Sequence, residues 1–133
     1  GEGLAPALND AGIVPEFADP DDLVMMVSPS NSAADISRLG EALMSIPRRR
    51  AEDIIPPLPG RPRAAMRIRD AVMSPAERIP VEKAVGRVLA DTSVGCPPAV
   101  PIAVSGEIID ENAVRCFEYY GIGSCIVTKE TDG

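Results

Sequence analysis

The stretch Pro80–Val94, PVEKAVGRVLADTSV, holds a helix start, a helix stop and a strand within fifteen residues. Pro80 has a fixed φ and no backbone donor, which suits the entry of a helix and nothing deeper in one. Val81–Val85 therefore reads as a short helix, Gly86 as its stop, and Arg87–Val94 as a strand. A helix this short that passes at once into a strand fits small sheets with helices packed on them, an α+β architecture.

Working outward, Ser93–Glu107, SVGCPPAVPIAVSGE, sets three prolines and two glycines around two short apolar runs. Pro97, Pro98 and Pro101 exclude this segment from a helix and from the middle of a sheet, so it reads as a rigid connection with a strand, Val100–Val104, at its centre. Asp110 then caps a helix with Ala113, Cys116, Phe117 and Tyr120 on one face, Gly121 closes it, and Ser124–Thr128 is a last strand. Before Pro80, Met66–Met73 reads as a helical turn or more.

The first 47 residues read as a separate small αββα unit. Leu4–Ala11 is a short helix closed by Gly12, Ile13–Ala18 an extended run, and Leu23–Val27 an apolar run of the kind a buried strand shows, with Asp19–Asp22 as the turn between them. Ser32 with Asp35 three residues on starts an amphipathic helix in which Ala33, Ile36, Leu39, Leu43 and Ile46 recur at helical spacing until Pro47. Five prolines, a triple arginine and Gly60 between Pro47 and Pro62 give 48–63 the composition of a linker. The expected order is thus a unit over 1–47, a Pro/Arg-rich strap over 48–63, and a compact α+β domain over 64–133.

Composition bounds the chemistry. The 133 residues are 45% hydrophobic and 25% charged, which is globular and too apolar for disorder. A net charge of −7 repels phosphate backbones, and two Phe with two Tyr leave little to stack on bases, so nucleic acid is not expected as a partner. Arg48–Arg50, Arg61, Arg63, Arg67 and Arg69 read as a solvated linker face, with an acidic partner or a phosphate as the alternative. Cys96, Cys116 and Cys125 form no C-x-x-C pair, and with no histidine in the chain neither a zinc site nor a disulfide framework is expected. Reduced structural thiols in a cytoplasmic protein fit best, and no apolar run approaches a membrane span. The lack of histidine also removes Ser-His-Asp and Cys-His catalysis from this chain. The chain opens on Gly1 and not Met, as a fragment would, so the chemistry it lacks is expected upstream.

The order of segments resembles the carboxy-terminal part of the bacterial ornithine/lysine/arginine decarboxylases, fold-type I enzymes that use pyridoxal phosphate. Ile79-Pro-Val-Glu-Lys-Ala-Val-Gly-Arg-Val-Leu-Ala90 is similar to the family's vPl-x-x-avGRi-x-ae segment, Ser93–Glu107 to its YPPGIPll-x-PGE motif, and Met66-Arg-Ile-Arg-Asp-Ala71 to a weaker M-x-pReA element. Gly12–Phe17 and the helix Ile36–Leu43 look like the end of the small subdomain that closes over the cofactor. Cys96, Ala99 and Ser105 depart from the family's tyrosine, glycine and proline. Pro80–Pro101 is also similar to the early part of the molybdopterin-molybdenum ligases, but the continuation Ile102–Ile109 does not follow that family's SAMDGYA-like sequence.

The resemblance implies decarboxylation of ornithine, lysine or arginine, through a Schiff-base lysine in a Ser-x-His-Lys segment that this chain lacks. No catalytic residue and no metal ligand is expected here, and the cofactor is expected on an upstream domain of the same enzyme, a homo-oligomer in the family. Glu16, after the Gly-Ile-Val-Pro run, corresponds to a glutamate that holds the substrate's distal cation, a solvated strand-end glutamate being the other reading. Pro97, Pro98, Pro101 and Glu107 correspond to an entrance or docking segment, although Glu107 serves equally as a turn residue that accepts local backbone donors. Another class of reading is a free-standing assembly or regulatory module of the same fold.

Overall fold

Pro6 in the first turn and Gly12 just past the end, at φ +72°, bound helix α1, Ala5–Asp10. A minimal hairpin follows, in which β1, Phe17–Ala18, pairs antiparallel with β2, Leu23–Val24. Asp19 shapes the turn, its carboxylate accepting the amides of Asp21 and Asp22. The computed structural model describes residues 1, 3–48, 50, 53–91 and 101–130, and divides into two compact units, Gly1–Ile54 and Ile55–Gly133.

Helix α2, Ala33–Ser45, starts with a reciprocal capping box. The Asp35 amide donates to Ser32 Oγ at 3.3 Å, and the Ser32 amide donates to the Asp35 carboxylate at 2.8 Å. That backbone donor first, and the Ser32 hydroxyl second, hold the Asp35 carboxyl below its ordinary range. Arg38 ties α2 to the end of α1 by donating to the Ala11 carbonyl at 2.6 Å.

The run Leu23–Val27 is not the buried strand that its composition suggests. Only Leu23 and Val24 pair, while Met26 and Val27 are 70% and 63% exposed. A hairpin with two residues per strand gives the rest of the run nothing to pair with. Nor does α2 bury any residue, and among the described residues of this unit Leu8 is the only buried apolar one. Burying one leucine contributes about 1.5–3 kcal/mol, little more than the entropy of ordering one or two residues at about 1–2 kcal/mol each.

The second unit carries the core. Its elements are α3, Ile68–Met73, β3, Ala76–Pro80, a single 3₁₀ turn over Val81–Lys83, α4, Glu111–Tyr119, and β4, Ser124–Thr128. β3 and β4 pair antiparallel from Ala76 opposite Thr128 to Pro80 opposite Ser124. Single antiparallel bridges continue the ladder, Leu89 to Val127, Val88 to Ile108, and Ala64 to Glu107. Asp110 caps α4 by accepting the Ala113 amide at 2.7 Å, and the helix lays Ala113, Cys116 and Phe117 on the ladder beside Leu89, Ile109 and Val127. Mixed helices and small antiparallel sheets make the fold α+β.

Four elements differ from the sequence reading. The helix expected over Val81–Val85 is one 3₁₀ turn, too short to propagate before Gly86, at φ +82°, turns its amide to the Ile109 carbonyl. Arg87–Val94 contributes bridges at Val88 and Leu89 and no regular strand, and its residues 92–94 lie outside the described ones. The strand β3 escaped notice because its sequence, Ala-Glu-Arg-Ile-Pro, alternates around two charges and ends in a proline, as an edge strand can. Of the strand expected over Val100–Val104, residues 101–104 bend, which sinks Ile102 and Ala103 to 3% exposure. The strap also changes character at its far end, where the Pro57 carbonyl accepts the Cys116 thiol at 3.4 Å within the second unit.

Gly106, at φ +93°, is the tightest point of the ladder, since a Cβ there would lie 2.4 Å from the Met66 carbonyl oxygen. Gly86 also has positive φ but no atom within 4 Å of its Cβ position. Gly106→Ala should therefore cost more than Gly86→Ala, about 3 kcal/mol or more against about 1 kcal/mol, as read by urea unfolding of the second unit. At Asp35 a depressed carboxyl adds stability above about pH 4 that is lost as the pH falls through the lower folded value. The amides of the first turn of α2 should fray over that acid range, and in Ser32→Ala the Asp35 titration followed by NMR should move back up.

Candidate functional site

The sequence singles out Glu16 in the first unit and Pro97, Pro98, Pro101 and Glu107 in the second. Pro97 and Pro98 lie outside the described residues. Glu16 stands at the entry of β1, where its amide donates to the Val24 carbonyl at 2.9 Å and its side chain is exposed. The hairpin holds the backbone of Glu16 and leaves the carboxylate facing out. Beside the hairpin, a groove of about 220 Å³ runs between the Gly12–Val14 stretch, Met26 and the Ile36 side of α2.

Pro101 is exposed, at the start of a bend that leads into the turn Val104-Ser105-Gly106-Glu107. The Glu107 amide donates to the Val104 carbonyl at 3.0 Å, and the Val104 amide donates to the Glu107 carboxylate at 2.7 Å. This carboxylate therefore closes its own turn. Ser105 is 6% exposed and its hydroxyl donates to the Asp91 carbonyl at 2.5 Å, a bond that a proline at this position could not make. A cleft of about 260 Å³ opens between this bend and the Ile68–Val72 side of α3.

Arg87 is the residue whose role the sequence concealed. Its guanidinium donates to Glu77 at 2.7 Å and to the Thr128 carbonyl at 2.8 Å, and its Nε lies 3.4 Å from the Glu130 carboxylate. The Glu77 hydrogen bond raises its pKa further above a range already beyond physiological pH, so the clamp across the open end of β3 and β4 stays charged. A cavity of about 500 Å³ lies against it, lined by Arg87, Lys129, Glu130 and Met66 among others. The spacing of Glu77, Arg87 and Glu130 has no helical or strand period, so only the pairing of β3 with β4 brings them together.

Burial, and secondarily the charge of Asp91, push the Cys125 thiol above its ordinary pKa, which makes it a poor nucleophile. Among the described residues no group of three or more Cys, Asp or Glu side chains could hold a metal ion, and no helix is long and apolar enough to cross a membrane.

Comparison with known proteins places this geometry. Residues 55–125 match the family described as Orn/Lys/Arg decarboxylase, C-terminal domain, a range that holds α3, β3, the Val88–Leu89 segment, the 104–107 turn, α4 and the start of β4. The chain is 34% identical over 105 residues to an arginine decarboxylase of Bacillus subtilis (strain 168), covering 74% of this chain and 21% of that protein. It is 42% identical over 55 residues to the arginine decarboxylase of Halalkalibacterium halodurans and 44% identical over 55 residues to that of Bacillus anthracis, in each case 41% of this chain and 11% of the relative. The chain thus spans about a fifth or less of the length of these relatives. With more than half of its residues inside the family's C-terminal domain, at 55–125, the chain belongs to the Orn/Lys/Arg decarboxylase family.

Proposed function

We propose that this chain is the carboxy-terminal portion of a pyridoxal-phosphate-dependent decarboxylase of a basic amino acid, with arginine as the substrate, inactive by itself. The observation that carries the reading is the match of residues 55–125 to the family's C-terminal domain, joined to 34% identity with a protein named arginine decarboxylase. The enzyme is a cytoplasmic homo-oligomer in this reading, and the rest of the polypeptide supplies the cofactor site.

Pyridoxal phosphate, when bound, supplies an electron sink for the carbanion left by decarboxylation. The residues of this chain do not fit it. Lys83 and Lys129 are both exposed, the first on a 3₁₀ turn and the second just past β4, where it lines the 500 Å³ cavity open to solvent beside Arg87, and neither stands in a Ser-x-His-Lys segment. What this chain offers instead is a carboxylate and a shaped segment.

Glu16 is proposed to pair with the substrate's distal cation when the full-length enzyme closes on it. A carboxylate matches a guanidinium with two parallel hydrogen bonds, and its backbone is already fixed by the hairpin. Pro97, Pro98, Pro101 and Glu107 are proposed to form the entrance or docking segment, with the Glu107 carboxylate setting its shape through the turn and making no contact with substrate.

These roles separate in the full-length enzyme. Glu16→Gln keeps the shape and removes the charge, so kcat/KM for arginine should fall roughly ten- to hundredfold, with cofactor absorbance and Tm unchanged. Normal turnover, or loss of cofactor, would withdraw the substrate role. Glu107→Ala leaves the Val104 amide without its acceptor and should cost about 1–3 kcal/mol in urea unfolding, while Glu107→Gln retains an acceptor and costs less. If Glu107→Gln instead raises KM with stability intact, Glu107 faces the substrate path.

A further inference from the structure

The strap at residues 55–62, IPPLPGRP, is built to hold one extended shape. Pro56, Pro57, Pro59 and Pro62 fix their own φ, and each keeps the residue before it out of the helical region, so Gly60 alone is unrestrained. The segment takes neither helix nor strand. What remains to it is the polyproline helix, with about three residues per turn and its side chains in three rows.

Burial follows that period. Pro57 and Gly60 form the row that rests on α4: the Pro57 carbonyl accepts the Cys116 thiol, and a Cβ on Gly60 would lie 2.5 Å from the Asp110 carboxylate. Both residues are half-buried. Ile55, Leu58 and Arg61 form a row that faces away, with Ile55 89% and Leu58 81% exposed and Arg61 exposed as well. Pro56 and Pro59 belong to the third row, Pro56 half-buried and Pro59 exposed. The open side of the strap therefore presents Ile-Pro, Leu-Pro and then a cation, in that order, on a backbone with little conformational freedom left to lose on binding.

These rows fit an aromatic-lined groove whose ridges take the two aliphatic-proline pairs and whose rim carries a carboxylate for the guanidinium. Arg61, Arg63, Arg67 and Arg69, with no acidic residue anywhere from 55 to 69, give this edge the charge to attract an acidic rim, although the chain as a whole carries −7. A second copy of the chain has no such groove to offer. Of its four aromatic side chains Phe17 lies in the hairpin of the first unit, Phe117 is fully buried, and Tyr119 and Tyr120 pack edge to face on each other. A groove over two rows of one short segment covers less than the roughly 1,200 Å² at which stable interfaces begin, which suits a separate protein that binds and leaves. We propose that residues 55–62 are a docking motif for a separate protein with an acidic, aromatic-lined proline-recognition groove. Ile55-Pro56 and Leu58-Pro59 fill its pockets, and Arg61 pairs with its carboxylate. The motif goes beyond the decarboxylase reading and does not depend on the identity of the substrate.

Calorimetry of the full-length enzyme with a purified Src-homology-three domain, of the kind that selects a basic residue two places after the second proline, tests it. One domain should bind per subunit, with Kd weakened roughly tenfold or more in Leu58→Ala and in Arg61→Glu and unchanged in Arg69→Glu. Tm should hold in all three, since these side chains are exposed, and Ile55→Ala repeats the measurement if Leu58→Ala unfolds. An enzyme that does not bind the domain overturns the proposal. If a synthetic peptide of residues 53–64 binds where the enzyme does not, the strap is covered by the rest of the polypeptide or by a second subunit, and the separate partner is refuted. Binding that falls as much in Arg69→Glu as in Arg61→Glu, and ignores Leu58→Ala, is charge attraction alone and overturns the motif as well. Decarboxylation assayed on the same samples keeps the readings apart: an enzyme that binds the domain as expected but leaves arginine unreacted refutes the proposed substrate and not the motif.

Discussion

The second unit depends on backbone pairing along both edges of Val88–Ala90. On one side the Thr128 amide donates to Val88 and the Ala90 amide to Ile126, and on the other the Leu89 amide donates to Glu107 and the Gly106 amide to Leu89. Leu89, fully buried, is thereby pinned between β4 and the turn at 104–107, and α4 covers it with Phe117. The short segment leaves few of its amide and carbonyl groups without partners, which is what lets three scarcely regular pieces of chain behave as one sheet. Helix α4 packs on that ladder through Ala113, Cys116 and Phe117.

Much of this was legible in the residues, for identifiable reasons. Local signals acted as they should: Asp110 and Ser32 cap their helices, Gly12 and Gly121 take positive φ, and Ser124–Thr128 alternates as a strand. What escaped were elements defined by partners distant in sequence. Ala76–Pro80 is a strand only because Ser124–Thr128 lies beside it, and Ile102–Ala103 are buried by a bend although they read as a strand. The apolar run Leu23–Val27 misled in the opposite sense, because apolar composition marks a surface to be covered without saying whether the cover lies in the same unit.

The candidate site divides along the same line. The turn role of Glu107 could be read from Ser-Gly-Glu alone, as a side chain that accepts a nearby amide. The setting of Glu16 needed the hairpin, since the bond from its amide to Val24 fixes the backbone that carries the exposed carboxylate. Arg87 gave no sign, because its partners Glu77, Thr128 and Glu130 lie on two other segments. On the proposed reading, the chain contributes a carboxylate on a fixed backbone and an entrance segment to an enzyme whose cofactor chemistry is carried elsewhere, which suits a sequence with no histidine.

The contact between residues 63–66 and the turn carries three main-chain hydrogen bonds. The Ile108 amide donates to Arg63, and the Ala65 and Met66 amides share the Gly106 carbonyl, while the side chains of Arg63, Arg67 and Arg69 project outward, exposed. Fold and surface are therefore encoded by different atoms of the same residues. The arginines on this edge can be exchanged in the course of evolution, even for the opposite charge, without disturbing the ladder beneath them. The domain can thus acquire a new neighbour or lose an old one while its architecture stays as it is.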